Sequence, residues 1–303
     1  MNRRDMLGAG ALLGTVMMAA AQPAVAAPAK PKTSGNWVTL PSGHRLFMRD
    51  WGEGTPVVFL AGWTLTSESW AYQMAPLAAA GHRCIAYDRR GQGRSDDPGA
   101  GYDYDTLADD LAAVLDALNV KGATVVAHSM SGGEVVRYLS RHGGKGRIAK
   151  VIFLATTLPC LTQKADNPTG VPAPFFDQLR GQFATDFPAW IEGNADPFVV
   201  PATSPLMRTW IKSIMLSATL QSAIELNRAM TAADFRAELA KLSIPVLFIH
   251  GDKDASAPLP ISAGPASKLV RGAKLSVYEG APHGLFVTHV ARLNADIAAF
   301  ARG

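Results

Sequence analysis

Short apolar strands alternate with amphipathic helical segments along most of this chain, and this alternation restricts the possible folds more than any other feature. Strand patterns occupy residues 37–40, 45–50, 57–60, 83–87, 124–127, 151–155, 246–250 and 274–278, with helical patterns at 68–80, 106–118, 132–142, 260–270 and 285–301. The later strands are almost continuous apolar runs, as expected for strands covered on both faces. The sequence therefore predicts an α/β fold, in which helices flank a mostly parallel eight-stranded sheet. The first two strands, joined at Pro41-Ser42-Gly43, would form an antiparallel edge.

The alternation is interrupted between residues 158 and 236. Proline recurs in this segment, a helical pattern follows at 206–230, and no strand pattern is evident. We expect a helical cap over residues 158–236, inserted above the carboxyl edge of the sheet, where open α/β sheets bind ligands. The core domain would then comprise residues 36–157 and 237–303. Most aromatic side chains of the cap should hold it together, and a few should line an apolar cleft.

Composition excludes several classes of protein. A chain of 303 residues with 48% hydrophobic content can bury a large core. Its basic residues are scattered, which argues against a nucleic-acid partner, and no cluster has metal-ligand spacing. Cys84 lies inside a strand pattern, so a buried free thiol is favoured over a disulfide with Cys160, although an oxidising compartment would permit the bond.

The first 27 residues resemble an export signal. Arg3-Arg4 precede a stretch rich in Ala, Gly and Met. The small residues Ala24-Val25-Ala26 fit the cleavage site of an export signal. The paired arginines favour twin-arginine export and a periplasmic or secreted product. A membrane anchor is the alternative, but the stretch is short and poor in large apolar residues, so we expect no stable membrane insertion after processing. Residues 28–35 would be a flexible lead-in, and no pattern indicates an oligomeric state.

The most informative motif is V-V-A-H-S-M-S-G-G at residues 125–133, where a strand pattern runs into a serine and then a helix. It is typical of a nucleophile elbow, a sharp turn that exposes the Ser129 hydroxyl. The usual motif is G-x-S-x-G, and Ala127 and Ser131 take the places of its glycines. Small side chains are needed there because strand and helix backbones nearly touch around a strained residue. The alternative is an ordinary strand-to-helix turn that contains a serine.

A serine nucleophile needs a base and an orienting carboxylate, and these follow in the order acid, then histidine. Asp254 is preferred as the acid, because Asp252, nearer to the end of its strand, would shape the turn. His283 is preferred as the base. His128 should point away from Ser129, and the two other histidines nearby offer worse positions: His250 could satisfy a turn, and His289 falls within a helix.

Two backbone N–H groups should stabilise the oxyanion. One is that of Met130, directly after the serine, and the other is that of Trp63, in the loop that follows residues 57–60. Gly62 permits the tight turn. The Trp63 ring is either a plain core aromatic or a wall of the acyl pocket, where it would bind substrate. The G-x-G of residues 88–95 lacks the other residues of a phosphate loop and indicates a structural turn.

Together, the stretches 61–63, 88–95, 104–118, 129–138 and 279–289 resemble the α/β-hydrolase superfamily, and within it the cofactor-free haloperoxidase and arylesterase branch. The resemblance spans residues 37–301 and is weakest across the cap. It implies Ser129 as nucleophile, Asp254 as acid, His283 as base, Trp63 and Met130 as oxyanion donors, and no cofactor. Ala61 departs from the histidine that is usual in the branch, as Ala127 and Ser131 depart from the elbow glycines.

The predicted function is that of a serine carboxylesterase, which cleaves small to medium apolar acyl esters through an acyl-enzyme. A perhydrolase of the haloperoxidase type, a lactonase and a C–C bond hydrolase are the enzymatic alternatives. The serine at the elbow argues against dehalogenases and epoxide hydrolases, whose nucleophile is aspartate. A ligand-binding protein on a hydrolase fold is the non-enzymatic alternative, and the complete triad argues against it.

Overall fold

A twisted sheet lies at the centre of the computed structural model, which describes residues 31–144 and 146–303. Its nine strands are β1 (Lys32–Ser34), β2 (Trp37–Thr39), β3 (Arg45–Trp51), β4 (Thr55–Leu60), β5 (His82–Tyr87), β6 (Ala123–His128), β7 (Ile148–Leu154), β8 (Val246–Gly251) and β9 (Lys274–Tyr278). Their order across the sheet is β1-β2-β3-β5-β4-β6-β7-β8-β9. The first three strands pair antiparallel, and the others are parallel. The mostly parallel α/β sheet is therefore confirmed.

The sheet has nine strands rather than the predicted eight. The additional strand β1 lies in the segment expected to be a flexible lead-in, and it pairs with β2 from Lys32↔Thr39 to Ser34↔Trp37. All three of its residues are exposed, so it has no apolar pattern from which a strand could be predicted. The predicted export signal, residues 1–27, and the first residues of the lead-in lie outside the described residues.

Helices cover both faces of the sheet. They are α1 (Ala71–Ala79), α2 (Tyr104–Ala117), α3 (Ser131–His142), α4 (Ala173–Asn194), α5 (Pro205–Met215), α6 (Leu220–Ala232), α7 (Arg236–Leu239), α8 (Ala263–Leu269), α9 (Leu285–Thr288) and α10 (Val290–Arg302). Successive strand residues face opposite ways, so Val125 packs with α2, α3 and α8 while Val126 packs with α1 and α10. The two apolar layers hold the sheet between them.

Helices α4, α5 and α6 occupy the segment between β7 and β8 where the cap was predicted. Helix α4 lies in the part of this segment where proline recurs and where no helical pattern was identified in the sequence. Pro174 lies in the first turn of α4, where a proline is tolerated. Pro188 follows a break at Asp186, which has φ −157° and ψ 83°, and the Asp186 carboxylate accepts a hydrogen bond from the Ala189 N–H at 2.9 Å. Each proline therefore begins a helical segment.

Cys84 and Cys160 are both buried and free. No helix within the described ranges is long and apolar enough to cross a membrane.

The parallel strands β4, β6, β8 and β9 all end at one edge of the sheet. Four segments follow these strand ends and therefore meet above the sheet: the loop at 61–64, Ser129, and the loops that carry Asp254 and His283.

Candidate active site

Ser129 occupies a sharp turn between β6 and α3. Its φ is +58°, a left-handed conformation that is costly for a residue with a side chain. The turn is held by a hydrogen bond from the Ser129 N–H to the Leu154 carbonyl, at 2.9 Å, and by one from the Gly132 N–H to the Ser129 carbonyl, at 3.2 Å. This is the geometry that a nucleophile elbow requires.

The two substituted elbow positions fit the turn. Ala127 is fully buried and leaves room for the helix. Ser131 is also fully buried, and its hydroxyl lies 3.0 Å from the Leu60 carbonyl and 2.8 Å from the His128 carbonyl, so that it can donate to either. The serine thus adds a polar link between the elbow and the end of β4.

Helix α3 approaches its neighbours most closely at Gly132 and Gly133, directly after the position where the usual motif has its second glycine. A Cβ on Gly132 would lie 2.5 Å from Oγ1 of Thr156, and one on Gly133 would lie 2.6 Å from Cε2 of Phe235. Real Cβ atoms do not approach other atoms so closely. The helix therefore packs against its neighbours through Gly132 and Gly133, which lie beyond the position that Ser131 occupies.

The structure brings together the three side chains that the sequence singled out. Nε2 of His283 lies 3.0 Å from Oγ of Ser129, and Nδ1 of His283 lies 2.7 Å from Oδ2 of Asp254. All three residues are buried. The other carboxylate oxygen of Asp254 accepts the N–H groups of Ser256 and Ala257, at 2.9 and 2.7 Å. With Nδ1 donating to Asp254, Nε2 is free to accept the serine proton.

Asp254 is held in its charged form. Burial by itself would raise its pKa, but the charge of His283 and the hydrogen bonds from His250 and His283 outweigh burial and lower the pKa below its ordinary value. Asp252 instead accepts the Gly280 N–H at 2.7 Å and closes the turn, the role proposed for it from the sequence.

Two of the other histidines also lie against the site. Among the described residues His128 makes no hydrogen bond to the Ser129 hydroxyl, but its ring packs against the His283 ring, with centroids 4.8 Å apart, and its Nε2 lies 3.2 Å from the His283 carbonyl. Burial, followed by the charge of His283, lowers the pKa of His128 well below its ordinary value. His250 does more than satisfy a turn, since its Nε2 lies 3.2 Å from Oδ2 of Asp254. Neither role was predicted from the sequence. His289 lies at the junction of α9 and α10.

The two predicted oxyanion donors are the backbone N–H groups of Trp63 and Met130. Neither the Trp63 N–H nor the Met130 N–H makes a hydrogen bond to any acceptor in the part of the chain that the structure describes. The loop lies against the serine, because a Cβ on Gly62 would be 3.1 Å from Cβ of Ser129. Thr64 has φ +59°, and its hydroxyl donates to the Trp63 carbonyl at 2.7 Å. Two free amides beside a serine hydroxyl can bind a negatively charged oxygen.

The Trp63 side chain connects this loop to the cap. Its indole N–H donates to the Ala223 carbonyl of α6 at 2.8 Å. Its ring packs against three aromatic rings of α4, with centroids 5.0 Å from Phe183, 6.0 Å from Phe187 and 5.4 Å from Trp190. We call these four side chains the aromatic cluster. It gives the site an apolar neighbour on the cap side.

Residues 88–95 form the structural turn that the sequence indicated. The Asp88 carboxylate accepts the Ser67 N–H at 2.8 Å and the Arg94 N–H at 3.0 Å, which fixes the loop internally. Within residues 31–144 and 146–303, no group of three or more His, Cys, Asp or Glu side chains is arranged to hold a metal ion.

Comparison with known proteins gives a consistent result. Residues 55–290 match the family described as alpha/beta hydrolase fold. A non-heme chloroperoxidase of Streptomyces lividans is 36% identical over 275 residues, which cover 88% of this chain and 99% of that protein. A bifunctional esterase/perhydrolase of Acinetobacter calcoaceticus is 35% identical, with the same coverage of both chains. The solved structure of an esterase from Exiguobacterium antarcticum superimposes with a TM-score of 0.85 at 28% identity, covering 89% of this chain and all of that one.

Proposed function

The chain belongs to the alpha/beta hydrolase family, and on that basis we propose that it is a serine carboxylesterase acting on small to medium apolar acyl esters. One observation carries the proposal. Hydrogen bonds of 2.7 and 3.0 Å connect Asp254 through His283 to Ser129, on a buried elbow beside two free backbone amides. Such a series of hydrogen bonds activates a serine for attack on an acyl carbon.

In the proposed reaction, Oγ of Ser129 attacks the ester carbonyl while Nε2 of His283 takes its proton. The carbonyl oxygen becomes an oxyanion, which accepts hydrogen bonds from the Trp63 and Met130 N–H groups. Collapse of this intermediate breaks the acyl–oxygen bond, and His283 returns the proton to the departing alcohol. Water then attacks the acyl-enzyme by the same steps, which releases the acid and the free serine. Asp254 keeps Nδ1 protonated and stabilises the imidazolium.

The proposed substrate class follows from the surroundings of the site. The aromatic cluster lies on the cap side of the loop at residues 61–64, which we call the oxyanion loop. An apolar acyl chain packed against these rings would leave water. We therefore favour uncharged aliphatic or aromatic acyl groups.

A perhydrolase activity is the second candidate, and similarity to a bifunctional esterase/perhydrolase and to a non-heme chloroperoxidase favours it. Hydrogen peroxide would replace water in the deacylation step. It would take the acyl group from Ser129 and yield a peracid and the free serine. The first half of the reaction is the same, so both activities require the same three side chains.

The direct test uses p-nitrophenyl esters of graded chain length, beside a lactone and a peracid assay with added peroxide. We expect ester hydrolysis that falls by about 10⁶-fold in Ser129→Ala, the scale seen when a serine hydrolase loses its nucleophile. A Ser129→Ala variant that keeps most of the activity would rule out the proposal. The ratio of peracid to acid decides between the two candidates.

Export is also part of the proposal. The paired arginines Arg3-Arg4 and the small-residue site ending at Ala26 support passage through the twin-arginine route to the periplasm or beyond. Fractionation of cells that express the full chain should recover a shortened protein outside the cytoplasm. Replacing both arginines by lysine should retain it inside. An unshortened protein confined to the cytoplasm would contradict export.

A further inference from the structure

Arg89 is buried beside the oxyanion loop, and each of its five N–H donors has an acceptor. Nε donates to Oε2 of Glu134 at 3.1 Å, and Nη2 to the same oxygen at 2.9 Å. Nη2 also donates to the Ala61 carbonyl at 2.9 Å. Nη1 donates to Oε1 of Gln92 at 3.0 Å and makes a longer contact of 3.5 Å with the Gly62 carbonyl. Only the rigid fork of an arginine can make this set of contacts.

Two of these acceptors are the carbonyls directly before the proposed oxyanion donor. The Gly62 carbonyl and the Trp63 N–H belong to one planar peptide and point in opposite directions. Holding that carbonyl on the Arg89 side, with help from the Leu65 N–H at 3.2 Å, therefore turns the Trp63 N–H to the other side. The bond to Ala61 fixes the preceding peptide in the same way. A cation on the carbonyl also polarises the amide and strengthens its N–H as a donor.

Arg89 also forms hydrogen bonds with helix α3, which begins directly after the elbow that carries Ser129. Glu134 lies in α3, five residues after Ser129, and is fully buried. Its second carboxylate oxygen accepts the hydroxyl of Tyr87. Arg89 therefore ties the oxyanion loop to the helix that begins at the elbow, so that the loop and the serine keep a fixed relative position.

We propose that Arg89 is a positioning residue for the oxyanion hole, an inference that rests on the proposed esterase function. A buried ion pair is by itself weak evidence of stabilisation, because desolvation offsets much of the attraction. The side chains of Arg89 and Glu134 are only 4% and 0% exposed. What this pair adds is the orientation of a peptide that must face the developing negative charge.

The neighbouring residue provides a matched control. Arg90 forms a similar buried ion pair with Asp110, with bonds of 2.7 Å from both Nε and Nη2, and a further 3.3 Å contact with the Ala100 carbonyl. It makes no hydrogen bond to residues 61–64 among those that the structure describes. Arg90→Lys therefore weakens a comparable ion pair without touching the oxyanion loop.

The experiment compares Arg89→Lys with Arg90→Lys, using a p-nitrophenyl ester and a trifluoromethyl ketone inhibitor that forms an oxyanion on the serine. Loss of one oxyanion donor costs about 10²–10³ in kcat, so a misplaced donor should cost about 10–100-fold. We expect Arg89→Lys to lose this much in kcat and in affinity for the ketone, while KM changes by less than about 3-fold. Arg90→Lys should lower Tm to a similar extent and keep kcat.

The result that would overturn the inference is an Arg89→Lys variant that matches Arg90→Lys in both kcat and ketone affinity. If Arg89→Lys does not fold, the double variant Arg89→Met/Glu134→Gln removes both charges and leaves neither uncompensated. It should show the same loss of kcat and ketone affinity, and wild-type values in that variant would overturn the inference equally.

A fluorophosphonate probe on the wild-type protein separates this inference from the function it rests on. If Ser129 is not labelled, the proposed function and the inference both fail. If Ser129 is labelled and Arg89→Lys behaves like its control, only the inference fails.

Discussion

Nε2 of His250 lies 3.2 Å from the Oδ2 atom of Asp254, the same oxygen that accepts Nδ1 of His283. Nε2 of His250 also lies 2.8 Å from the Ala257 carbonyl, which can only accept, so Nε2 is the donor in this contact. The Asp254 carboxylate therefore accepts hydrogen bonds from His283 and from two backbone amides, and the His250 imidazole lies against the same oxygen. These contacts favour the charged carboxylate and hold it in one orientation.

The first prediction concerns this second imidazole. His250→Leu removes one donor from a charged acceptor, a bond worth about 1.5–3 kcal/mol, so kcat should fall by about tenfold or more. His250→Gln retains an N–H at a similar distance from the backbone and should keep most of the activity. Steady-state kinetics on a p-nitrophenyl ester measure both. Equal activities in the two variants would show that the contact does not matter.

The second prediction concerns acid sensitivity. Burial, and then the charge of His283, lower the pKa of His128 below its ordinary value. Below about pH 6.5 the unfolded chain therefore takes up a proton at His128 that the folded chain does not. The folded state should lose up to about 1.4 kcal/mol per pH unit as pH falls from that point, and this loss should be absent in His128→Gln.

Urea unfolding of both proteins between pH 5 and 8 measures this difference. The two curves of unfolding free energy against pH should run parallel above about pH 7 and diverge below about pH 6.5. Parallel curves over the whole range would contradict the assignment of a neutral, buried His128.

The third prediction compares two elbow positions. Ser131→Ala loses a hydroxyl that donates to the Leu60 or the His128 carbonyl, which should cost about 1–2 kcal/mol of unfolding free energy. Gly133→Ala introduces a Cβ 2.6 Å from a Phe235 ring carbon and should cost more, about 3 kcal/mol. Denaturant unfolding ranks the two variants. A Gly133→Ala protein that is the more stable of the two would be inconsistent with the packing described.

The fourth prediction concerns the acyl group. Phe187→Ala removes a ring 6.0 Å from the Trp63 ring and should open space beside the oxyanion loop. We expect kcat/KM for an octanoyl ester, relative to an acetyl ester, to rise by about tenfold. Phe175→Ala is the control, since Phe175 lies on the same helix but is 51% exposed. An unchanged ratio in Phe187→Ala would place the acyl group elsewhere.

Much of the fold and the three reactive side chains could be predicted from the sequence, because the information is local. Apolar runs such as 246–250 identify buried strands, and the serine and the carboxylate each follow such a run within a few residues. The histidine follows the strand 274–278, which was expected to be covered on both faces but is mostly exposed, because it lies at the edge of the sheet. Parallel strands end at one edge, so these loops must meet. The two elbow substitutions did not obscure the motif, since small side chains remain at both positions.

The features that could not be predicted depend on contacts between distant segments. Strand β1 has no buried residue, and it is defined only by its pairing with β2. The sequence cannot show that Arg89 reaches the carbonyl of Ala61, or that the ring of His128 packs on His283, 155 residues away. Helix α4 was missed because a proline that begins a helical segment looks, in sequence, like one that ends it.

The most direct test of the proposed mechanism is mass spectrometry of the full chain after reaction with a fluorophosphonate. We expect a single adduct on Ser129, formed in the wild-type protein and greatly slowed in His283→Ala. An intact protein with no adduct, or an adduct on another residue, would contradict it.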